Sequence, residues 1–352
     1  MNIRGDRKGQ ALRDNIETLA AEVVDRQYRA QPGVWDRFGA EGRARSVRDA
    51  RYHLTYLAEA LDFEAQELFV HYAGWVKSVF AGIRLPDDTL PTTLAVLCEV
   101  IRDLLPSERS AAACAFIQAA LAALPDAPVE IPSCLPTEAP FADIANRYLQ
   151  YLRAGDRRSA GKLILEQVQR GMIVRDISLH VFQPVLREVG RLWQMNLLSV
   201  AQEHFCTAAT QCIMAQLYPF VFGTEKTDRR MVAACIGGEL HEIGIRMVAD
   251  LFEMQGWETY YLGANTPASS IVETVSRQKP DVVCLSATIA MHLEQVAEVT
   301  ALIRQAVREK CPKILVGGYP FIVSPSLWRR VDADGSAADA PATIALAEKL
   351  AA

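Results

Sequence analysis

The residues best able to do chemistry together lie in the last third of the chain. Glu239-x-His241-x-x-Gly244 sets a carboxylate two residues before an imidazole, with a glycine three residues on. An imidazole can ligate a metal through one ring nitrogen while a carboxylate holds the other. Ser286-x-Thr288 follows after residues 245–285, and Gly317-Gly318 after residues 289–316. The first triplet alone is a common pattern. What matters is whether one fold brings the three together.

The segments around them have the texture such a fold needs. MVAACIG, WETYYLG, DVVCLSA and KILVGG are apolar runs of strand length. They alternate with helical patterns near 242–255, 267–278, 292–308 and 341–351, which predicts a Rossmann-like, doubly wound parallel sheet over 228–352. Ligands of such sheets sit at the carboxyl ends of the strands, so the loops after Gly237, Leu262, Leu285 and Val316 should carry the site. Upstream, residues 1–125 show helical periodicity and almost no strand signal. They predict an all-helical domain of five or six helices, broken at Pro32-Gly33, Pro86-Asp87 and Pro106-Ser107, with Ser107 suited to an N-cap. Residues 126–140 hold four prolines and read as an extended linker. From 141 to 222 four helices are expected, with turns near Gly155, Gly171 and Asn196, and with Pro184 kinking the third or shifting its start.

In order and spacing, the three loop motifs resemble the cobalamin-binding domain of methionine synthase, corrinoid methyl carriers and cobalamin-dependent mutases. The resemblance implies His241 as lower cobalt ligand, Glu239 as its carboxylate partner, and a slot beside the sheet for the cofactor's nucleotide tail. Ser286 and Thr288 would border that slot, and Gly244, Gly317 and Gly318 would leave room for the tail, as a side chain would not. Leu262, Gly263 and Gly335 join the cofactor-binding set. Glu239 stands where that family usually has Asp, and its longer arm still reaches an imidazole.

The bundle carries a second pattern: Trp193, nine residues, then Glu203-His204. This W-x9-EH motif resembles that of the adenosylcobalamin light sensors, in which the Trp and Glu line the adenosyl pocket. Position for position, the resemblance assigns that pocket to Trp193, Glu203 and His204. In the transcriptional regulators of this type a His after the Trp takes the cobalt once the adenosyl group is lost. Gln194 occupies that position here, leaving His204, His180 or water. Globin-like size in the front domain, with bundle and cobalamin domain behind it, resembles the photocobilins, which pair cobalamin with biliverdin. A bilin would need cations for its propionates, an imidazole near its nitrogens and aromatic walls. Arg45, Arg51, His53, His71, Tyr72, Trp75 and Arg84 supply those types. No cysteine has a bilin-attachment context, so noncovalent binding is expected.

Composition narrows the rest. The 352 residues are 50% apolar and 22% charged, with net charge -5, and the eight cysteines show no metal or disulfide spacing. The front domain holds 15 basic and 17 acidic residues, unlike a DNA-reading head. MNIRGDRKGQ has no apolar h-region and no stretch approaches a spanning helix, so a cytoplasmic protein without membrane or nucleic-acid partners is expected. The expectation is a photoreceptor with no catalytic output domain, signalling through light-dependent homo-oligomer assembly or a downstream signalling protein. The alternatives are a corrinoid methyl carrier of a methyltransferase system and a light-independent cobalamin sensor.

Overall fold

The computed structural model describes residues 7–222, 225–307 and 311–351. It divides into two compact units. One comprises the described residues up to Glu130 with Ile289–Glu294 and Tyr319–Val331; the other comprises Ile131–Thr288, Gln295–Gly318 and the chain from Asp332.

The first unit is built on five long helices: α1 Ile16–Ala30, α2 Gly39–Asp62, α3 Gln66–Gly82, α4 Thr89–Leu104 and α5 Ser107–Ala123. Apolar residues at three- and four-residue spacing, such as Leu54, Leu57 and Leu61 on α2, give each helix one face to bury. The breaks fall where a helix cannot continue: Pro32 follows α1, and Pro86 precedes α4. Ser107 is not the N-cap of α5. Pro106 is the half-in residue there, its carbonyl accepting from Ser110 N at 3.0 Å, and Ser107 is the first helical residue. Two segments expected within the α/β domain group with these helices because their side chains are engaged by them. The Tyr319 hydroxyl meets His71 Nε2 at 3.0 Å, Ser324 donates to Glu67, Arg330 pairs with Glu64 at 2.7 Å, and Glu294 pairs with Arg7.

The second unit combines a helical bundle with a sheet. The bundle helices are α6 Phe141–Arg153, α7 Arg157–Gln169, α8 Gln183–Gln194 and α9 Val200–Gln216. Gly155, Gly171 and Asn196 all have positive φ in the intervening turns. Pro184 lies inside a helical path that runs unbroken from Val174 into α8, and the π-helical turn over Ser178–Phe182 just before it accommodates its missing N–H. Ser199 caps α9 through a reciprocal box with Gln202. Part of the linker is strapped to α8: Ser133 Oγ and Cys134 N donate to Glu188, and Arg191 donates to Ile131 O.

The sheet is parallel throughout, with β1 Arg230–Cys235, β2 Glu258–Tyr261, β3 Val282–Ser286, β4 Lys313–Gly317 and β5 Gly335–Ser336 in the order β2-β1-β3-β4-β5. Its helices are α10 Ile243–Met254, α11 Ala268–Gln278, α12 Leu293–Ala306 and α13 Ala340–Ala351. The two-residue β5 has no apolar run to announce it. Strand order reverses between β1 and β3, and the crevice at that switch point is where doubly wound sheets hold ligands. Both chemically rich loops leave from there.

Candidate functional site

The site is built around a fully buried carboxylate. Glu239 sits just beyond the end of β1 and is 0% exposed. Its Oε1 accepts from His241 N at 2.9 Å and from His241 Nδ1 at 2.5 Å, and its Oε2 accepts from Thr288 N at 2.6 Å. The loops after β1 and β3 are thus tied by one side chain. A third loop joins them: Asn265 N donates to Glu239 O at 2.8 Å, and Asn265 Oδ1 accepts from Gly238 N at 2.7 Å.

With Nδ1 engaged, Nε2 is the ring nitrogen left to donate an electron pair. The His241 side chain is 58% exposed, so that nitrogen is accessible. The hydrogen bond to Glu239 raises the imidazole's pKa above its ordinary value, burial opposes the rise, and the Glu239 and Glu203 charges add to it. A carboxylate-held imidazole is a more basic, better-oriented metal donor. Cys235 lies in β1 with its Sγ turned to His241 O at 3.7 Å, and burial pushes its thiol up to about 12.

The slot beside the sheet discriminates between the two glycines. A Cβ built on Gly317 would meet nothing within 4 Å, so the space at this strand end is open. Gly318 has φ +107°, and a Cβ there would lie 2.0 Å from Ala287 O, so its glycine is demanded by the backbone. Ser286 is buried at the end of β3, paired in register with Gly317. Gly244 also opens onto empty space. Leu262 and Gly263 extend the ladder beside β1, with Leu262 N donating to Ala233 O and Cys235 N to Gly263 O. A Cβ on Gly335 would lie 2.9 Å from the Leu346 side chain, so this glycine serves the seating of α13.

From the bundle, α9 brings one face to the same loops. Positions 200, 203, 207 and 211 lie along one side of the helix. Gln211 donates to Glu242 Oε1 at 2.6 Å, and the Glu203 charge reaches His241. Glu203 accepts from Thr207 at 2.9 Å and lies 3.5 Å from His204 Nε2, itself 74% exposed. Trp193, on the last turn of α8, is 37% exposed, and Leu197, Val200 and Leu240 are more exposed still. Clusters of large apolar side chains left in solvent are a common mark of ligand or partner surfaces. Gln194 ends α8, and His180 lies against Phe141, ring centroids 4.5 Å apart.

Glu242 was not singled out from sequence. Besides Gln211, it accepts from the Tyr261 hydroxyl at 2.6 Å and Ala264 N at 3.1 Å, locking α9, β2 and the loop after β2 around the residue next to His241. Its position in Glu239-x-His241-Glu242 was the available signal, but a partner 31 residues upstream leaves no local trace.

Of the bilin candidates, His53, Tyr72 and Trp75 come together. His53 Nδ1 meets the Tyr72 hydroxyl at 2.8 Å, and Tyr72 stacks on Tyr56 and Trp75 with centroids 3.8 and 6.1 Å apart. Burial lowers the His53 pKa to about 4, so the imidazole is neutral. His71 turns instead to Tyr319. Arg45 pairs with Glu41 and Arg51 with Glu17, and Arg84 occupies the exposed, positive-φ turn after α3.

Among the described residues, no three His, Cys, Asp or Glu side chains form a metal cage. One accessible imidazole beside an open slot and an apolar rim fits a metal already held by a macrocycle, such as the cobalt of cobalamin. Residues 229–346 match a family model described as a B12 binding domain, and residues 144–218 match a second B12 binding domain model. Both the bundle and the sheet of the second unit therefore carry B12 binding domain sequences, which makes cobalamin the ligand class of this unit.

Within that class the chain is 31% identical over 156 residues to the HTH-type transcriptional repressor CarA of Myxococcus xanthus, covering 44% of this chain and 51% of the repressor. It is 28% identical over 169 residues to dimethylamine corrinoid protein 1 of Methanosarcina mazei, covering 47% and 74%. The HTH-type transcriptional repressor CarH of Myxococcus xanthus matches at 31% over 139 residues, 39% of this chain and 45% of that one. The chain thus spans about half the length of the two repressors. Among solved structures, the monomethylamine corrinoid protein of Methanosarcina barkeri superposes over 58% of this chain and 97% of its own, with TM-score 0.52 at 20% identity, and shares the fold. No helix among the described residues is long and apolar enough to cross a membrane.

Proposed function

We propose that this chain is a photoreceptor that binds adenosylcobalamin with His241 as the lower cobalt ligand and Trp193 and Glu203 beside the adenosyl group. The observation that carries the reading is the pairing of a Glu239-held, exposed imidazole with Glu203 close enough to raise its pKa. The bound cofactor would supply a cobalt–carbon bond that light breaks. The protein's part is to hold Nε2 in place through Glu239, to admit the nucleotide tail beside Ser286 and Gly317, and to cover the adenosyl group with the Trp193 turn. Loss of that group would leave the apolar rim at Trp193, Leu197 and Val200 without its ligand, and α8 and α9 would repack. A repacking of this kind can change an oligomer interface. The signal would then leave by homo-oligomer assembly or through a signalling partner, without nucleic acid, from a cytoplasmic, non-enzymatic protein.

On the same reading the first unit is a globin-like module holding biliverdin noncovalently, with neutral His53, Tyr72 and Trp75 as the seat of the ring system. The neutrality and the aromatic stack support this; Arg84 would serve one propionate, and Arg45 and Arg51 would have to exchange Glu41 and Glu17 for the other. The test is the absorption spectrum of the chain reconstituted in the dark with adenosylcobalamin and biliverdin, before and after green and then red light. Irreversible change of the cobalamin bands with a retained far-red bilin band is the expected result. Replacing His241 with Ala should shift the dark cobalamin spectrum; unchanged ligation would overturn the assignment of His241.

The likeness to dimethylamine corrinoid proteins favours one other reading, a methyl carrier using the same His241. A carrier would keep productive methyl transfer when Trp193 is made small. Dark-stable cobalamin with no light response and no bilin uptake would select it.

A further inference from the structure

A second cavity, about 350 Å³, opens between the short helix Tyr218–Val221, the middle of α10 and the edge strand β2. None of the cofactor residues named above lines it. Its walls are of two kinds. Tyr218 and Phe222 stack with centroids 5.2 Å apart, and Phe222 is largely exposed; Asp250, Glu253 and Glu258 supply carboxylates.

Two of the acids are answered within the protein. Glu253 pairs with Lys226 and accepts from Thr259 Oγ1 at 2.6 Å. Glu258 pairs with Arg230 at 2.7 Å and accepts from Tyr260. Asp250 has neither a hydrogen bond nor an ion pair among the described residues. Arg246, one turn earlier on α10, is the obvious candidate, but its guanidinium lies over the Tyr218 ring at 5.2 Å and donates to Gln211 O at 3.4 Å. An arginine preceding an acid by four residues is also the weaker order of a helical pair. Burial pushes the Asp250 carboxyl up to about 6 while the Arg246 charge pulls it down, so a closer cation would stabilise its ionised form.

A carboxylate with no direct ion pair beside a stacked aromatic pair is complementary to a positive charge carried on an apolar body. A hard metal ion would need several oxygen ligands, and two of the three carboxylates are already engaged. Three carboxylates against one lining cation, Lys226, disfavour anions. We propose that this cavity binds a small organic ammonium ion, its charge against Asp250 and its apolar part against Tyr218 and Phe222.

The test is isothermal titration of the full chain with phenethylammonium and, in parallel, with 2-phenylethanol and phenylacetate. Phenethylammonium should bind, the neutral alcohol at least about tenfold more weakly, and the anion not at all. Asp250→Asn should weaken ammonium binding about tenfold or more, and Phe222→Ala severalfold, each with an unchanged circular dichroism spectrum. Equal affinity for alcohol and ammonium, full binding by Asp250→Asn, or no ammonium binding by the unmodified chain would overturn the proposal. Should Asp250→Asn fail to fold, the comparison of ammonium with alcohol on the unmodified chain decides.

Discussion

A single buried carboxylate organises the candidate site. Glu239 accepts from His241 N, His241 Nδ1 and Thr288 N, so removing it leaves two backbone donors without that acceptor, while the exposed imidazole can turn to water. An unsatisfied buried donor costs about 1–3 kcal/mol, and relaxation recovers part of the sum. Glu239→Ala should therefore destabilise the cofactor-free protein by about 3 kcal/mol in urea unfolding, and a loss below about 1 kcal/mol would mean the loops are held by other means. The motif and the pairing of Glu239 with His241 were legible in the sequence because they are local. Thr288, 49 residues on, was named only as a neighbour of the tail. That its backbone meets Glu239 follows from β3 lying beside β1, which no local pattern states. Glu242 escaped for the same reason.

At the scale of elements, the strand ends do the positioning, and their two glycines should fail differently. Gly317 has open space where a side chain would stand, so Gly317→Leu should leave the fold intact while blocking cobalamin uptake. Gly318→Ala forces a Cβ against Ala287 O and should destabilise the fold itself. Thermal melts with a cobalamin titration separate the two; equal binding by Gly317→Leu would remove the slot from this strand end. In the first unit, His53 joins α2 to α3 through Tyr72, and its pKa of about 4 lies below the ordinary 6.5. The unfolded chain binds the proton more readily between those values, so the stability His53 gives at neutral pH is lost as pH falls from 6.5 towards 4. The unfolding midpoint should drop more steeply across that window than in His53→Gln, and parallel curves would contradict the buried neutral imidazole. β1, β3 and β4 were readable because buried parallel strands are continuous apolar runs, and the half-buried edge strand β2 by its Thr-Tyr-Tyr run. β5 was not, since two residues of Gly-Ser carry no such run. Pro184 was read as a kink or a shifted start, and the structure answers with a π-helical turn, a choice that depends on packing around Phe182.

For the whole molecule, the proposed light response predicts a change of assembly. Illumination of the adenosylcobalamin-loaded chain should alter its mass in solution by light scattering, and Trp193→Ala should weaken adenosylcobalamin binding or abolish that change. An identical mass in dark and light would place the output in a partner. The front domain's near-neutral charge argues against nucleic acid, and two relatives are named HTH-type transcriptional repressors, so gel-shift measurements in dark and light belong beside the scattering experiment. The mould around His241 is fastened by bonds within the chain itself, from Glu239 to Thr288 and from Asn265 to Gly238. A mould of that kind outlasts its contents. If light consumes the cofactor and spares the protein, the spent receptor needs only to be refilled, and the supply of fresh cofactor, not new protein synthesis, becomes the clock that returns it to the dark state.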